Sequence, residues 1–325
     1  MEYRQLGNSD LNISVITFGA WAIGGWMWGG TDRREAVKAL HKAYELGITT
    51  IDTAPVYGMG TSEEIVGEAV RQLSRDKVQL LTKYGLVWEG TSGVLHVKNS
   101  PHQGREYDVY KYAGAASLRK ECENSLRRLK TDYIDLFQIH WPDPTTPVDE
   151  TMEEVSRLVQ EGKIREAGVC NYSAGQMKEA QSTLRLASNQ MPYSMVNRGI
   201  EKEVVPHCLE TGTGILAYSP LQRGLLTGKF KPEHEFKEGD HRPGTPFFKP
   251  ENIRRVNKFL HQIQPIADSK GATLAQLVLR WTISQPGITA ALAGARDAVQ
   301  VAQNAGAAEL KLDASELEQI NGLLA

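Results

Sequence analysis

The regular alternation of short apolar runs with longer stretches of helical spacing constrains the fold most strongly. Eight runs are rich in β-branched residues and are typical of buried strands, and six amphipathic stretches lie between them. The runs are ISVITFG, GITTIDTA, VQLLTK, YIDLFQIH, IREAGVCN, ASNQMPYS, GILAYSP and ITAALAG. The predicted helices span residues 32–47, 61–73, 116–130, 148–163, 173–186 and 273–285. Eight strands alternating with helices predict an α/β fold, the (β/α)8 or TIM barrel.

A doubly wound parallel sheet is the structural alternative, because it uses the same alternation of strands and helices. Two observations disfavour it. The glycines of FGAWAIGGW, after the first strand, lack the GxGxxG spacing of a dinucleotide-binding turn. Polar residues also fall at the carboxyl ends of many strands, where a barrel builds its active site. We therefore predict a single barrel domain over residues 1–325, a length that barrels reach.

Three segments fall outside the alternation. EYRQLGNSDLNIS, before the first strand, predicts a β-hairpin with GNSD as its turn, placed to close the bottom of the barrel. Two connections, from residue 84 to about 112 and from 221 to about 250, are too long to be simple turns. Both follow strand ends, so on a barrel they lie at the carboxyl-terminal face and are candidate lids.

Composition excludes several classes of function. The hydrophobic fraction of 41% and the charged fraction of 23% are those of a soluble globular protein. A formal net charge of -2 gives no electrostatic reason to expect nucleic acid or an anionic membrane as a partner. Three cysteines without CxxC spacing favour a reducing compartment and no metal site. The apolar run over 15–30 is short and interrupted by glycines, so we expect a cytoplasmic protein without a membrane span.

Four polar residues near strand ends form a candidate catalytic group. Asp52 follows the second strand, Tyr57 lies five positions later, and Lys83 and His140 end the third and fourth strands. A tyrosine titrates near about pH 10, so alone it is a poor proton donor at neutral pH. A lysine ammonium beside the phenol would lower its pKa, and a carboxylate beside the lysine would hold that charge in place. The sequence therefore predicts Tyr57 as a general acid, with Lys83, Asp52 and His140 in support.

Each of these residues also has a purely structural explanation. Under that interpretation Asp52 caps the turn in DTAP, and Lys83 is a solvent-exposed charge. His140 is then a loop histidine whose ring nitrogens have ordinary hydrogen-bond partners. Tyr218 is likewise explained by core packing. The joint placement of the four candidate residues at the ends of neighbouring barrel strands favours the catalytic interpretation.

The chain resembles the aldo-keto reductase superfamily over nearly its whole length, and in particular its bacterial, channel-β-subunit-like branch. The matching segments are FGAWAIGG, GITTIDTAPVYGMGTSEEIVGEAV, LLTKYG, SLRRLKTDYIDLFQIHWPD, GKIREAGVCNYS, NQMPYS, AYSPLQRGLLTGKF and GARDAVQVAQN. The resemblance implies a barrel that binds NADP(H) in an extended form. It also implies a catalytic tetrad of Asp52, Tyr57, Lys83 and His140, and all four positions match.

The resemblance further implies a cofactor site distributed along the chain. Asn171 and Gln190 match the pair that grips the nicotinamide carboxamide, and Tyr218 matches the aromatic residue on which the nicotinamide ring stacks. The other residues predicted to bind the cofactor are Gly19, Ala20, Trp21 and Asp52, the pyrophosphate-loop residues Ser219, Leu221, Gly224 and Lys229, and the adenosine-end residues Gly294, Arg296, Gln300 and Asn304.

Helix chemistry supports the adenosine end independently. Gln300 and Asn304 are four residues apart, so they share one face of a helix. Gly294 precedes that helix, at a turn where backbone amides favour an anion. Arg296 offers a fork of donors to a phosphate, so a 2′-phosphate fits and NADPH is predicted over NADH. The chain has GAR where many members have a lysine-serine pair, and Cys170 where serine is common.

The predicted function is reversible, NADPH-dependent reduction of aldehydes or ketones to alcohols. His140 favours carbonyl chemistry, because the branch that reduces steroid double bonds has glutamate at that position. The predicted partner is a small carbonyl or alcohol substrate, contacted by Trp21, Tyr57, Trp88, His140 and Trp141. Two alternatives stay open: an NADP(H)-binding sensor or accessory subunit with little turnover, and a Schiff-base aldolase with Lys83 as nucleophile.

Overall fold

In a computed structural model of the protein, which describes residues 1–324, eight parallel strands close into a barrel. The strands, in chain order, are β1 (Tyr3–Gln5), β2 (Asn12–Ser14), β3 (Ile16–Gly19), β4 (Thr50–Asp52), β5 (Gln79–Tyr84), β6 (Leu86–Val87), β7 (Val94–His102), β8 (Arg105–Lys111), β9 (Ile134–Ile139), β10 (Ile164–Cys170), β11 (Ser188–Pro192), β12 (Gly214–Tyr218) and β13 (Ile288–Gly294). The helices are α1 (Arg33–Glu45), α2 (Thr61–Val70), α3 (Ala115–Leu129), α4 (Val148–Gln160), α5 (Ala174–Gln181), α6 (Val204–Thr211), α7 (Pro250–Ser269), α8 (Leu274–Ile283), α9 (Ala298–Gly306) and α10 (Ala314–Leu324).

The barrel has the strand order β3-β4-β5-β9-β10-β11-β12-β13, after which β13 pairs with β3. Each of the eight predicted apolar runs overlaps one of these strands, so the predicted (β/α)8 fold is confirmed. Parallel strands are covered on both faces, which is why the runs are apolar without alternation. In β9, for example, all six residues are buried.

The N-terminal hairpin closes the end of the barrel at which the strands begin. Strands β1 and β2 pair antiparallel, as predicted. Leu6 and Leu11, between them, are buried in one cluster with Leu81, Leu136 and Leu216 of the barrel interior. Leu6 reaches the first residue of β12, so this end of the barrel is filled by side chains. A cavity can therefore open only at the opposite end, above the carboxyl ends of the strands.

The two long connections both leave the carboxyl-terminal face, after β5 and after β12. The first is not simply a loop, because it forms a separate three-stranded antiparallel sheet with the order β6-β8-β7. The second consists of short 3-10 turns that precede α7. Trp28 pairs with Asp240, and the amide of His241 donates to the carbonyl of Met27 at 3.3 Å. The second connection is therefore joined to the loop after β3.

Helices α6, α7 and α10 were not predicted from the sequence. Helix α7 buries Ile253, Val256, Leu260 and Ile263, a spacing that defines one apolar helical face. Its first residue is Pro250, a position that proline favours because no hydrogen bond is lost there. None of the helices in residues 1–324 has both the length and the apolarity needed to cross a bilayer.

Candidate active site

A cavity of about 710 Å³ opens at the carboxyl ends of the barrel strands. This volume lies within the range of sites that enclose small molecules and cofactors. Every residue predicted to bind the cofactor lines this cavity, from Gly19 at the end of β3 to Asn304 on α9. Of the tetrad, Asp52, Tyr57 and His140 line it, whereas Lys83 lies behind them and is fully buried.

One predicted substrate residue is misplaced. Trp21 and Trp141 line the cavity together with Tyr57 and His140, but Trp88 does not. Trp88 follows β6, which pairs with β8 of the separate sheet rather than with the barrel. Its side chain therefore borders a shallow surface depression with Tyr107 and Tyr110. The prediction placed Trp88 in the pocket because it follows a strand end, but the chain has already left the barrel at this position.

Asp52 and Lys83 form a buried ion pair between the ends of the adjacent strands β4 and β5. Lys83 Nζ donates to Asp52 Oδ1 at 2.7 Å and to the carbonyl oxygen of Thr53 at 2.8 Å. Gln190 Nε2 donates to the other carboxylate oxygen of Asp52 at 2.8 Å. Burial is the largest single effect on the pKa of Lys83 and lowers it, but Asp52, Tyr57 and Cys170 together outweigh burial, so the net pKa is raised. The ammonium is therefore charged throughout the physiological range.

Tyr57 lies between this ion pair and His140. Lys83 Nζ is 5.1 Å from the centroid of the Tyr57 ring, and the His140 ring stands nearly perpendicular to it at 5.7 Å. Burial raises the pKa of Tyr57 to about 12, and the opposing effect of Lys83 is smaller. The sequence prediction had the lysine lower this pKa below its ordinary value. In the structure Lys83 does lower the pKa of Tyr57, but desolvation raises it by more, so the phenol holds its proton.

The backbone at Tyr57 is fixed by the glycine-rich turn after β3. A Cβ placed on Gly24 would lie 2.6 Å from the carbonyl oxygen of Tyr57, so only glycine permits this approach. Gly58 packs as closely against the carbonyl oxygen of Gly24 and has a φ of 70°. The glycines of FGAWAIGG thus position the phenol by close backbone contact.

His140 is poised to donate a hydrogen bond as a neutral imidazole. Burial, reinforced by the charge of Lys83, holds the pKa of His140 well below its usual range. Its backbone amide donates to the carbonyl of Tyr84 at 2.8 Å, which fixes the residue at the end of β9. The ring lines the cavity beside Tyr57. A carbonyl oxygen bound between the two rings would receive donors from both.

The predicted amide pair presents a donor and an acceptor to the cavity. Asn171 Nδ2 donates to the carbonyl of His140 at 3.0 Å, and Asn171 Oδ1 accepts from the Tyr218 hydroxyl at 2.9 Å. One amide proton of Asn171 is left for a ligand. No group in residues 1–324 donates to Gln190 Oε1. A carboxamide, which offers both a donor and an acceptor, complements this pair.

At the far end of the cavity, Arg296 joins two loops. Its guanidinium donates to the carbonyls of Gly30 at 2.6 Å and Trp28 at 3.4 Å. Gln300 Oε1 accepts from the amide of Arg296 at 3.1 Å, and Asn304 Nδ2 donates to the carbonyl of Gly294 at 3.2 Å. The predicted helix face is therefore real. The contacts of Gln300 and Asn304 on this face also hold the turn that carries Arg296 in place.

The sequence analysis did not predict an aromatic cluster that lies at the cavity. The Trp21 ring lies 5.3 Å from Trp28 and 4.9 Å from His241. Arg242 stands over Trp28 at 5.2 Å and pairs with Asp240 at 2.5 Å. These residues come from segments about 210 positions apart. The sequence carries no periodic signal for such a contact, although the tryptophans of the glycine-rich loop were visible.

Three comparisons with known proteins agree with this geometry. The model of the Aldo/keto reductase family matches residues 15–325. The chain is 37% identical to an NADH-specific methylglyoxal reductase from Escherichia coli over 317 residues, which cover 96% of this chain and 95% of that protein.

Solved structures share the fold closely. The glycerol dehydrogenase AKR11B4 from Gluconobacter oxydans superposes with a TM-score of 0.88 at 38% identity, covering 99% of this chain and 94% of the other. An aldo-keto reductase from Klebsiella pneumoniae, solved in complex with NADPH, has a TM-score of 0.74 at 31% identity and covers 99% and 95% of the two chains.

Proposed function

Because the chain belongs to the aldo/keto reductase family, we propose that it is an NADPH-dependent oxidoreductase that reduces aldehydes and ketones to alcohols, reversibly. The observation that carries the proposal is the cluster of Tyr57, His140 and the Lys83–Asp52 ion pair at one end of a cavity of cofactor size. Aldehydes and ketones are the substrate class that needs a proton donor and a hydrogen-bond donor at one oxygen.

The donor set of the cavity fits a nicotinamide dinucleotide. The open acceptor of Gln190 and the open amide proton of Asn171 suit a carboxamide at the catalytic end. Lys229 and Arg296 supply cations toward the other end, where phosphates belong. The relatives leave the choice of cofactor open, since one is named NADH-specific and another was solved with NADPH.

In the proposed mechanism, the bound nicotinamide supplies the hydride. Tyr57 and neutral His140 both donate hydrogen bonds to the carbonyl oxygen and withdraw charge from its carbon. Tyr57 transfers its proton as the alkoxide forms, and the ammonium of Lys83, 5.1 Å from the ring centroid, stabilises the resulting phenolate. Asp52 keeps Lys83 charged and in place. In the oxidative direction the phenolate of Tyr57 removes the proton of the alcohol.

The Schiff-base alternative is disfavoured by the state of Lys83. A nucleophilic amine must be neutral and accessible. Lys83 is fully buried, does not line the cavity and is held as an ammonium by Asp52. Its raised pKa is the opposite of what an aldolase requires. Lys83 therefore acts through its charge.

The first experiment measures NADPH oxidation with para-nitrobenzaldehyde, beside a fluorescence titration of NADPH binding. We expect tight binding with turnover. Tight binding without turnover across a panel of aldehydes and ketones would contradict the reductase proposal. It would favour the alternative of a sensor or accessory subunit.

The high pKa of Tyr57 predicts an asymmetric pH dependence. Reduction needs the protonated phenol, and a pKa of about 12 keeps it protonated, so kcat/KM for reduction should be flat between about pH 6 and pH 9. Alcohol oxidation needs the phenolate, whose fraction rises about tenfold per pH unit below the pKa, so its rate should rise with pH. Rates in both directions, measured across this range, test the prediction. A fall in reduction near neutral pH would contradict it.

Replacing Arg296 tests the choice of cofactor. Arg296→Ala should raise the Kd for NADPH about tenfold, the value of one charge-assisted hydrogen bond to the 2′-phosphate. NADH lacks that phosphate, so its Kd should change much less. Arg127→Ala, which removes an exposed arginine on α3, is the matched control. An equal loss of affinity for both nucleotides would mean that Arg296 acts only by holding the loop at Gly30.

A further inference from the structure

Arg223 differs from the other arginines of residues 1–324 because it is partly buried and yet its guanidinium has no hydrogen bond or ion pair. Twelve arginines in this part of the chain donate to a carboxylate, a hydroxyl or a carbonyl oxygen, as Arg242 and Arg296 do. The remaining exposed ones, such as Arg127 and Arg254, are solvated. Of all the arginines in residues 1–324, only Arg223 is both partly buried and without any hydrogen bond or ion pair of its guanidinium.

Arg223 lies at the cavity, with its guanidinium near Trp21. Arg223 lines that cavity, and its Cζ lies 5.7 Å from the centroid of the Trp21 ring. The Tyr57 ring is also near Trp21, at 6.1 Å between ring centroids. Arg223 and Tyr57 are therefore both neighbours of the same indole ring. The cations assigned above to the phosphates of the cofactor, Lys229 and Arg296, are different residues.

A partly buried cation without a partner destabilises the free protein unless a bound ligand pairs with its charge. Burial lowers the pKa of Arg223, yet a guanidinium stays protonated, so its charge is only partly solvated in the free protein. The residue also has a φ of 56°, and its neighbour Gln222 has a φ of 46°. Left-handed backbone at two successive non-glycine residues is uncommon and is concentrated at ligand-binding loops.

We propose that Arg223 binds an anionic group of the carbonyl substrate, so that the preferred substrates are aldehydes or ketones that carry a carboxylate. A carboxylate matches the planar fork of a guanidinium and forms two charge-assisted hydrogen bonds with it. Trp21, which neighbours both Arg223 and Tyr57, packs against the carbon skeleton that joins the carboxylate to the carbonyl. This inference rests on the proposed reductase function and specifies its substrate class.

The test compares two substrates of nearly equal shape, para-carboxybenzaldehyde and its neutral methyl ester, in the wild type and in Arg223→Met. Methionine keeps an unbranched side chain, so the strained backbone is not burdened further. The ratio of kcat/KM for the acid to that for the ester should fall about tenfold to hundredfold in Arg223→Met, the effect of losing charge-assisted hydrogen bonds. Arg223→Lys should retain part of the preference, and Arg254→Met, which removes an exposed arginine on α7, should keep the wild-type ratio.

Two further measurements separate this inference from its competitors. Calorimetry with benzoate and the NADP+-loaded protein needs no turnover, and benzoate should bind the wild type more tightly than Arg223→Met. If Arg223→Met leaves both substrates unaffected, or lowers kcat/KM equally for acid and ester, the ratio is unchanged. Either result would overturn the inference while leaving the reductase function intact. A rise in the Kd for NADPH that accounts for the whole loss would instead assign Arg223 to the pyrophosphate. A wild type that binds benzoate through Arg223 but reduces no carbonyl compound would overturn the reductase function alone.

Discussion

Tyr57→Phe should lower kcat for carbonyl reduction by about 10²- to 10⁴-fold, the usual contribution of a positioned general acid. The phenol stands against both His140 and the Lys83 ammonium at the cavity. Phenylalanine preserves the ring and removes the proton. The Kd for NADPH should stay near that of the wild type, because the phenol hydroxyl makes none of the contacts assigned above to the cofactor.

Stopped-flow reduction of para-nitrobenzaldehyde measures the chemical step, and fluorescence titration measures NADPH binding. Tyr44→Phe on α1, outside the barrel cavity, is the matched control for loss of a tyrosine hydroxyl. Full turnover in Tyr57→Phe would refute the general-acid role. A large loss of NADPH affinity would show that the ring had moved, and the loss of kcat would then need another explanation.

Lys83→Met should lower the free energy of unfolding by about 3–5 kcal/mol, because it leaves the buried carboxylate of Asp52 without its cation. Both side chains are almost fully buried and the pair distance is 2.7 Å. Urea denaturation of the cofactor-free protein measures the effect. Kcat should fall as well, since Tyr57 loses the charge that stabilises its phenolate.

Adding Asp52→Asn to Lys83→Met separates the two consequences. The amide is neutral, so most of the lost stability should return, whereas activity should stay low. Lys120→Met, which breaks an exposed pair with Glu89, is the control and should leave the free energy of unfolding close to that of the wild type. A Lys83→Met protein as stable as the wild type would mean that Asp52 is neutral or solvated in the folded state.

Much of the architecture was readable from the chain because it is a local property. Each barrel strand is a short run buried on both faces, and each predicted helix has an amphipathic period, so composition within a window of ten residues determines both. The tetrad was readable for a related reason. Asp52, Lys83 and His140 lie at or just beyond strand ends, and parallel strands in a closed barrel bring those ends together whatever their distance in sequence.

Where the structure differs from the sequence prediction, the difference comes from contacts between segments that are distant in sequence. Trp88 was predicted to line the pocket because it comes soon after a barrel strand, but β6, which precedes it directly, pairs with β8 rather than with the barrel. Helix α7 begins at Pro250, where the predicted connection ends, but no helix was predicted there.

The sign of the pKa shift at Tyr57 depended on tertiary structure alone. The sequence determined that a lysine would stand near the phenol, and it does. Desolvation depends on the whole surrounding packing and exceeds the effect of that lysine, so the pKa rises to about 12. In the same way, Arg223 is an ordinary arginine in the sequence. Its unpaired state is a relation among distant segments, and only the folded chain brings Trp21, Tyr57 and the loop after β12 into contact.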